Sequence, residues 1–192
     1  MMPPIDISHV ILETDRLILR PFKQGDLNDF FAYASVPGVG EMAGWPHHES
    51  IETTQQILDM FIEHKNVFAI VHKKDDRVIG SFGFHDTWAN YDEAYKDKKI
   101  CEIGYVLSKS YWGRGLMPEA VKAAVEYGFR EMNLDYIGVC HFTDNLQSKR
   151  VIEKSGFSPV SAGVFHAKQL NRDFEEIRYL MPRPSSGEKK NS

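Results

Sequence analysis

The sequence predicts an α/β fold in which a mixed, mostly antiparallel β-sheet is flanked by helices. Strand-like runs at Val67–His72 and 78–85 are separated by the polar residues 74–77, a pattern typical of a β-hairpin. Two further runs, 157–165 and 175–181, follow one another near the end of the chain. A strand–helix–strand stretch lies between these pairs and predicts one parallel crossover. Hairpins combined with a crossover favour a mixed sheet.

The first third of the chain predicts one strand and two helices. Residues 12–22 alternate loosely around their leucines and form the predicted first strand. A helix is predicted over 27–35, with Asp26 as its N-cap. A second helix is predicted over Ile51–His64, where Ser50 is the N-cap and the apolar residues form one stripe.

The second half of the chain predicts the crossover. Ile100–Leu107 is strand-like, and a helix follows over about 118–132, beginning at a proline, which the first helical turn tolerates. Tyr136–Phe142 is the next strand, and a helix over 145–155 ends at Gly156, a favourable residue after a helix. The predicted order is therefore β-α-α-β-β-β-α-β-α-β-β.

The composition is that of a globular protein. With 192 residues, 42% hydrophobic and 26% charged, the chain fits one domain, expected over residues 10–183 between flexible termini 1–9 and 184–192. The net charge of −4 argues against a nucleic-acid partner. The start resembles no signal peptide and no apolar run approaches the roughly 18 residues of a membrane span, so we expect no membrane partner. Two cysteines without a C-x-x-C pattern agree with a reducing, cytoplasmic location.

Residues 110–117 (S-Y-W-G-R-G-L-M) join the fourth predicted strand, Ile100–Leu107, to the helix that follows. The first N–H groups of a helix have no intrahelical partner, and the helix dipole is positive at this end. Glycines before the helix let an anion approach the backbone closely, so the segment is a candidate phosphate cradle. A G-x-G pattern is weak evidence by itself, because a tight turn before a helix has the same residues.

Three stretches of the sequence together resemble the GNAT superfamily of N-acetyltransferases, and within it the RimJ/RimL-type branch. They are 12–21 (L-E-T-D-R-L-I-L-R-P), 102–115 with its E-I-G-Y and Y-W-G-R-G motifs, and 145–157 with the pattern N-x-x-S-x-x-x-x-E-K-x-G-F. The resemblance implies that acetyl-CoA is the cosubstrate. It also implies transfer of the acetyl group to a primary amine, expected to be the N-terminal α-amine of a protein or peptide.

The resemblance also implies which residues hold the cofactor. The pyrophosphate loop falls on residues 112–117, and the backbone of the preceding strand is expected to pair with the pantetheine arm. Trp112 and Met117 depart from the family pattern, but backbone amides, not side chains, bind the phosphates. The expected cofactor residues are Val106, Leu107, Trp112, Gly113, Arg114, Gly115, Met117 and Asn145.

Two residues are candidates for proton handling. By strand alternation, Glu102 faces away from Cys101 and Tyr105, and a carboxylate on a central strand is costly unless it is paired or functional. The resemblance implies a general base at Glu102, while a structural hydrogen-bonding glutamate is the alternative. The family's usual tyrosine acid falls on Ile152, and the resemblance implies that Ser148 donates to the leaving thiolate instead. A serine bonded to a carbonyl one turn back is the alternative.

Several alternatives stay open at this point. The acceptor is a protein N-terminus or a small amine such as a polyamine, amino acid or aminoglycoside, and a non-catalytic acyl-CoA-binding module is a third option. Loops 37–50 and 87–99 are candidates for lining the acceptor side. The adjacent histidines His47 and His48 lack the usual ligand spacing, so no metal is expected. A homodimer is one option for the assembly.

Overall fold

The computed structural model describes residues 5–185 and contains one eight-stranded sheet and four α-helices within them. The strands are β1 (Leu12–Glu13), β2 (Leu17–Pro21), β3 (Val67–His72), β4 (Arg77–His85), β5 (Ile100–Leu107), β6 (Tyr136–Phe142), β7 (Ser158–Ala167) and β8 (Arg172–Pro182). The helices are α1 (Leu27–Ala34), α2 (Ile51–His64), α3 (Leu116–Arg130) and α4 (Leu146–Lys154). The predicted fold class is confirmed.

The strands lie in the order β1-β2-β3-β4-β5-β6-β8-β7. Every neighbouring pair is antiparallel except β5 and β6, which are parallel and joined by the crossover through α3. The predicted single crossover and both predicted hairpins are therefore present, and the crossover lies at the centre of the sheet.

The start of the sheet differs from the prediction. The single strand expected over 12–22 is a hairpin, β1 and β2, in which Leu12 pairs with Leu19. Thr14 is responsible, because its side-chain oxygen accepts a hydrogen bond from the Leu17 N–H at 2.9 Å and closes the turn. Short polar side chains compete in this way with strand hydrogen bonding.

The helix ends are set by local chemistry. Ser50 caps α2 through a hydrogen bond from the Thr53 N–H, as predicted. Asp26 precedes α1 but its carboxylate instead accepts from Lys23 and pairs with Arg20. Helix α3 begins two residues before Pro118, directly after Gly115. Gly156 follows α4 with a φ of +85°, the left-handed conformation expected of that position.

Two apolar cores cover the two faces of the sheet. Helices α3 and α4 pack on one face in the larger core, and α1 and α2 pack on the other face around Phe30, Tyr33 and Leu58. Ile7 is 1% exposed and belongs to the larger core, so the prediction that residues 1–9 are flexible does not apply at Ile7. The remaining terminal predictions, for 1–4 and 186–192, lie outside the described residues.

None of the helices between residues 5 and 185 has both the length and the apolar character that a membrane crossing requires.

Candidate active site

A cleft opens in the middle of the sheet, where β5 and β6 separate. The two strands pair only at Ile100–Tyr136, Cys101–Ile137 and Glu102–Gly138. From residue 103 to 107, β5 has no strand partner on its β6 side within the described chain, although it remains paired with β4 on the other side. Unpaired backbone groups along a strand can bind an extended chain as an added strand. The separation thus provides a slot for a linear ligand such as the pantetheine arm.

The cleft has a volume of about 330 Å³ and is walled by the end of β5, the start of α3 and one face of α4. Of the ten residues predicted for the site, all but Glu102 and Arg114 line it. The lining residues among them are Val106, Leu107, Trp112, Gly113, Gly115, Met117, Asn145 and Ser148.

The glycine segment has the backbone geometry of an anion cradle. Gly113 and Gly115 have φ angles of +74° and +73°, a conformation that residues with a Cβ rarely adopt. No backbone carbonyl in residues 5–185 accepts from the N–H of Gly113, Arg114 or Gly115. Gly113, Gly115 and the first turn of α3 line the cleft, so their free N–H groups can receive a diphosphate.

Arg114 is placed differently from the prediction. Its guanidinium lies over the Tyr111 ring, 4.9 Å from the ring centroid, and it does not line the cleft. The Tyr111 hydroxyl in turn donates to Asp75 at 2.6 Å. Arg114 therefore contributes its backbone to the loop, and its charge lies outside the cleft wall.

Trp112 links the loop to β5. Its indole Nε1 donates to the carbonyl oxygen of Leu107 at 2.7 Å. That carbonyl is one of the groups expected to pair with the pantetheine arm, so one of its two lone pairs is already used. The departure of Trp112 from the family pattern thus has a structural consequence, because the tryptophan fixes the loop against the end of the strand.

Ser148 projects into the cleft and meets a tyrosine from β5. Its Oγ lies 3.0 Å from the Tyr105 hydroxyl oxygen, and the two are hydrogen-bonded. Burial raises the pKa of Tyr105, so its hydroxyl stays protonated and can donate. The alternative of a bond to a carbonyl one turn back is not what the structure has. Ile152, at the position of the family's tyrosine, is 2% exposed and packs in the larger core.

Asn145 is the N-cap of α4. Its Oδ1 accepts from the Ser148 N–H at 3.1 Å, and its Nδ2 donates to the carbonyl of Met42 at 3.1 Å. Met42 lies in the predicted acceptor loop 37–50, and both Met42 and Ala43 line the cleft. Asn145 therefore holds that loop against α4 and keeps Ser148 at the start of the helix.

Glu102 lies on the opposite face of β5 from Tyr105 and Ser148, as strand alternation predicts. Thr87, from the second predicted acceptor loop, donates to its carboxylate at 3.2 Å. Burial, and next the nearby charge of Glu176, raise the pKa of Glu102 from 4.5 to about 7. Glu176 is itself paired with Arg178, with 2.8 Å between the carboxylate and Nε. A carboxyl group with this pKa can exchange a proton near neutral pH.

The two cysteines lie in surroundings that disfavour the thiolate. Burial raises the pKa of the Cys101 thiol to about 12, and burial with the nearby Glu102 raises that of Cys140 as well. Both thiols therefore stay protonated at neutral pH, which argues against a nucleophilic role. No group of three or more histidine, cysteine or acidic residues in the described part of the chain is placed to hold a metal ion.

Sequence reasoning missed four residues near the site. Tyr105 was placed on its strand without a role, although its position three residues after Glu102 puts it on the other face. Arg150 and Lys154 line the cleft on α4, and their i, i+4 spacing was the available signal. His85 is the cross-strand neighbour of Glu102, and only the register of β4 and β5 reveals it.

A strand slot beside an anion cradle, with a half-buried carboxyl on the far face of the slot, defines an acyl-CoA-dependent transferase site. Residues 16–158 match the family model described as the acetyltransferase (GNAT) domain. The chain belongs to this family and is an N-acetyltransferase that uses acetyl-CoA.

A curated relative and two solved structures illustrate the similarity. The uncharacterized N-acetyltransferase YoaA of Bacillus subtilis is 35% identical over 152 residues, which are 77% of this chain and 82% of YoaA. The ribosomal-protein-S5-alanine acetyltransferase of Vibrio fischeri has the same fold, with a TM-score of 0.70, 20% identity, and coverage of 92% and 98% of the two chains. Spermidine N-acetyltransferase of Vibrio cholerae, solved with CoA and spermine, also has it, with a TM-score of 0.70, 17% identity, and coverage of 88% and 97%.

Proposed function

We propose that the chain transfers the acetyl group of acetyl-CoA directly to the N-terminal α-amine of a protein or peptide, as in the RimJ/RimL-type branch. The observation that carries the proposal is Glu102, whose pKa is raised to about 7 by burial and by Glu176. Its carboxyl lies on the face of β5 opposite Tyr105 and Ser148 and accepts a hydrogen bond from Thr87, which belongs to one of the loops expected on the acceptor side.

The strength of this base fits an α-amine. A peptide α-amine has a pKa of about 8, so roughly a tenth of it is neutral at pH 7, whereas less than about a thousandth of a lysine side chain is neutral. A carboxylate with a pKa near 7 can accept a proton from the first kind of amine with a small difference in pKa. The lysine side chain demands a stronger base.

Bound acetyl-CoA supplies the thioester carbon that the amine attacks, with CoA thiolate as the leaving group. The chain's residues accept one proton from the amine and stabilise the negative charge that develops on the sulfur. Glu102 accepts the proton that the amine loses as its N–C bond forms, either directly or through water. Ser148 donates a hydrogen bond to the sulfur as the C–S bond breaks, and the Tyr105 hydroxyl donates to Ser148 from behind. Preformed donors of this kind stabilise charge as it develops.

A small cationic amine is the second candidate acceptor. Two carboxyl groups, Glu102 and its neighbour Glu176, lie on the side of β5 opposite Ser148, which we call the acceptor face, and such a pair attracts a polyamine. Arg178 lies beside them, paired with Glu176 and 5.2 Å from the ring centroid of Trp88. Its positive charge offsets one carboxylate, so the face as a whole favours an acceptor with a single amine over one with several.

Thiol release with a panel of acceptors tests the proposal. The panel contains peptides with free N-termini, the same peptides with blocked N-termini, and spermidine, each with acetyl-CoA. The proposal predicts release with the free peptides alone. Release with spermidine and none with any free peptide in a broad panel would contradict it.

Ser148→Ala is expected to lower kcat by about tenfold and to leave the KM for acetyl-CoA within about twofold, because the lost hydrogen bond forms to a charge that is present only in the transition state. Tyr105→Phe is expected to lower kcat by a smaller factor in the same direction, because it removes only the second donor. Steady-state kinetics at saturating acceptor measure both. A wild-type rate in Ser148→Ala would remove Ser148 from the mechanism.

A further inference from the structure

One partly exposed network beside the cleft has no place in the chemistry described so far. It joins the β1–β2 turn to the first turn of α3. Glu119 accepts from the Thr14 hydroxyl at 2.6 Å, from the Arg16 N–H at 2.9 Å and from the Arg16 side chain at 2.7 Å. Partial burial acts to raise the Glu119 pKa, and the hydrogen bonds from Thr14 and Arg16 outweigh it, so the pKa is lowered. Glu119 is thus a fixed anion that holds Arg16 in one orientation.

The same arginine reaches the glycine loop. Its Nη1 donates to the carbonyl oxygen of Arg114 at 2.9 Å. Arg16 does not line the cleft, whereas Gly115 does, so the arginine approaches the loop from the outer side. A planar guanidinium has enough donors to bind the Glu119 carboxylate and this carbonyl together.

The direction of that carbonyl determines the direction of the next amide. In a trans peptide the C=O and the following N–H point in opposite directions, and no cis peptide occurs in the described residues. Because the Arg114 carbonyl points outward to Arg16, the Gly115 N–H points inward to the cleft. Glycine has no side chain to hold the peptide plane, and its φ of +73° lies in a region where several orientations are open to it.

We propose that Arg16 is a positioning residue for the pyrophosphate loop, which turns the Gly115 N–H toward the diphosphate of acetyl-CoA by holding the Arg114 carbonyl on the outer side. Thr14 and Glu119 support it by fixing the guanidinium. The paired network has no net charge, so its effect on the cofactor is one of orientation. Thr14 and Arg16 of the first motif and Glu119 of α3 therefore act on the same cofactor contact, although they lie far apart in the sequence.

Calorimetric titration with CoA tests the proposal in the full-length chain. Arg16→Gln is expected to raise the Kd for CoA by about tenfold, since a hydrogen bond to a charged group is lost or weakened. In the acetylation assay the KM for acetyl-CoA rises by the same factor and kcat stays within about twofold. Arg130→Gln is the matched control, because Arg130 forms an exposed ion pair with Glu126 at the far end of α3, the helix that carries Glu119. The Kd of this control variant for CoA is expected to stay unchanged.

Two further measurements distinguish an effect of Arg16 on the orientation of the loop from an effect of its charge. At about 1 M salt, where exposed charges are screened within about 3 Å, the ratio of the variant and wild-type Kd values is expected to persist. Arg16→Lys keeps the charge but lacks the planar guanidinium, so its Kd for CoA is expected to lie between those of the wild type and Arg16→Gln. A wild-type Kd in folded Arg16→Gln, or a ratio that falls to one at high salt, would overturn the proposal. The inference rests on cofactor binding, and CoA titration needs no acceptor, so its failure is distinguishable from failure of the proposed acceptor.

Discussion

Glu102→Gln is expected to lower kcat by about 100-fold, because general base catalysis contributes about that much and the amide cannot accept the proton. The pH–rate profile is expected to change with it. The wild-type rate rises as Glu102 ionises, around its pKa of about 7. In the variant that rise disappears, and only the ionisation of the acceptor amine, near pH 8, remains. Steady-state kinetics between pH 5.5 and 9, in roughly half-unit steps, measure both effects.

Stability measurements provide a second readout for Glu102. Because its folded-state pKa is raised from 4.5 to about 7 by burial and Glu176, the folded protein binds this proton more tightly than the unfolded chain. The stabilising contribution is present below about pH 4.5 and is lost as the pH rises through 7. Glu102→Gln removes the cost of ionisation, so its Tm relative to wild type is expected to be higher at pH 8 than at pH 5.

Two control variants make the Glu102 result decisive. Glu126→Gln removes a carboxylate from the exposed surface of α3 and is expected to change neither the rate nor its pH dependence. His85→Gln tests the cross-strand neighbour of Glu102, which is another titratable side chain next to it. An unchanged profile in Glu102→Gln would return Glu102 to a structural role. If His85→Gln abolished the rise in its place, the base would be His85.

Gly115→Val is expected to weaken CoA binding by about 10- to 100-fold. A branched side chain opposes the φ of +73° that Gly115 adopts, at a cost of about 1–3 kcal/mol. Relief of that strain moves the N–H groups at the start of α3 away from the diphosphate. Calorimetric titration with CoA measures the effect, and the KM for acetyl-CoA is expected to follow it.

Gly156→Val is the matched variant for this experiment. Gly156 has a φ of +85° after α4, and a Cβ there would meet only the end of the Met181 side chain at 3.9 Å. We expect a similar loss of Tm in both glycine variants and a wild-type Kd for CoA in Gly156→Val alone. A folded Gly115→Val protein with the wild-type Kd would contradict the assignment of the cradle.

Local patterns predicted most of the fold because most elements are specified locally. α2, β3, β5 and β6 have the predicted bounds, each set by its own periodicity or by a nearby cap. The β1–β2 hairpin was missed because the loose alternation over 12–22 was taken as one strand, whereas the local hydrogen bond between Thr14 and Leu17 closes a turn inside it. The Thr14 hydroxyl also bonds Glu119, 105 residues away, a contact that no local pattern contains.

The positions of the candidate site residues were predictable where the backbone forms the cleft, and less predictable where side chains from distant strands meet. The glycine loop and the Ser148 helix follow from motifs, and strand alternation placed Glu102 on its correct face. The Tyr105–Ser148 hydrogen bond joins residues 43 apart, and the raised pKa of Glu102 depends on Glu176 from β8. Both interactions depend on how the strands and helices are aligned in space, which local sequence patterns do not provide.

The most direct test of the central claim uses one peptide that has a free α-amine and a single internal lysine. After incubation with acetyl-CoA and the protein, mass spectrometric fragmentation locates the acetyl group. A base with a pKa of about 7 predicts acetylation at the α-amine, with the lysine unmodified. Acetylation confined to the lysine side chain would contradict the account.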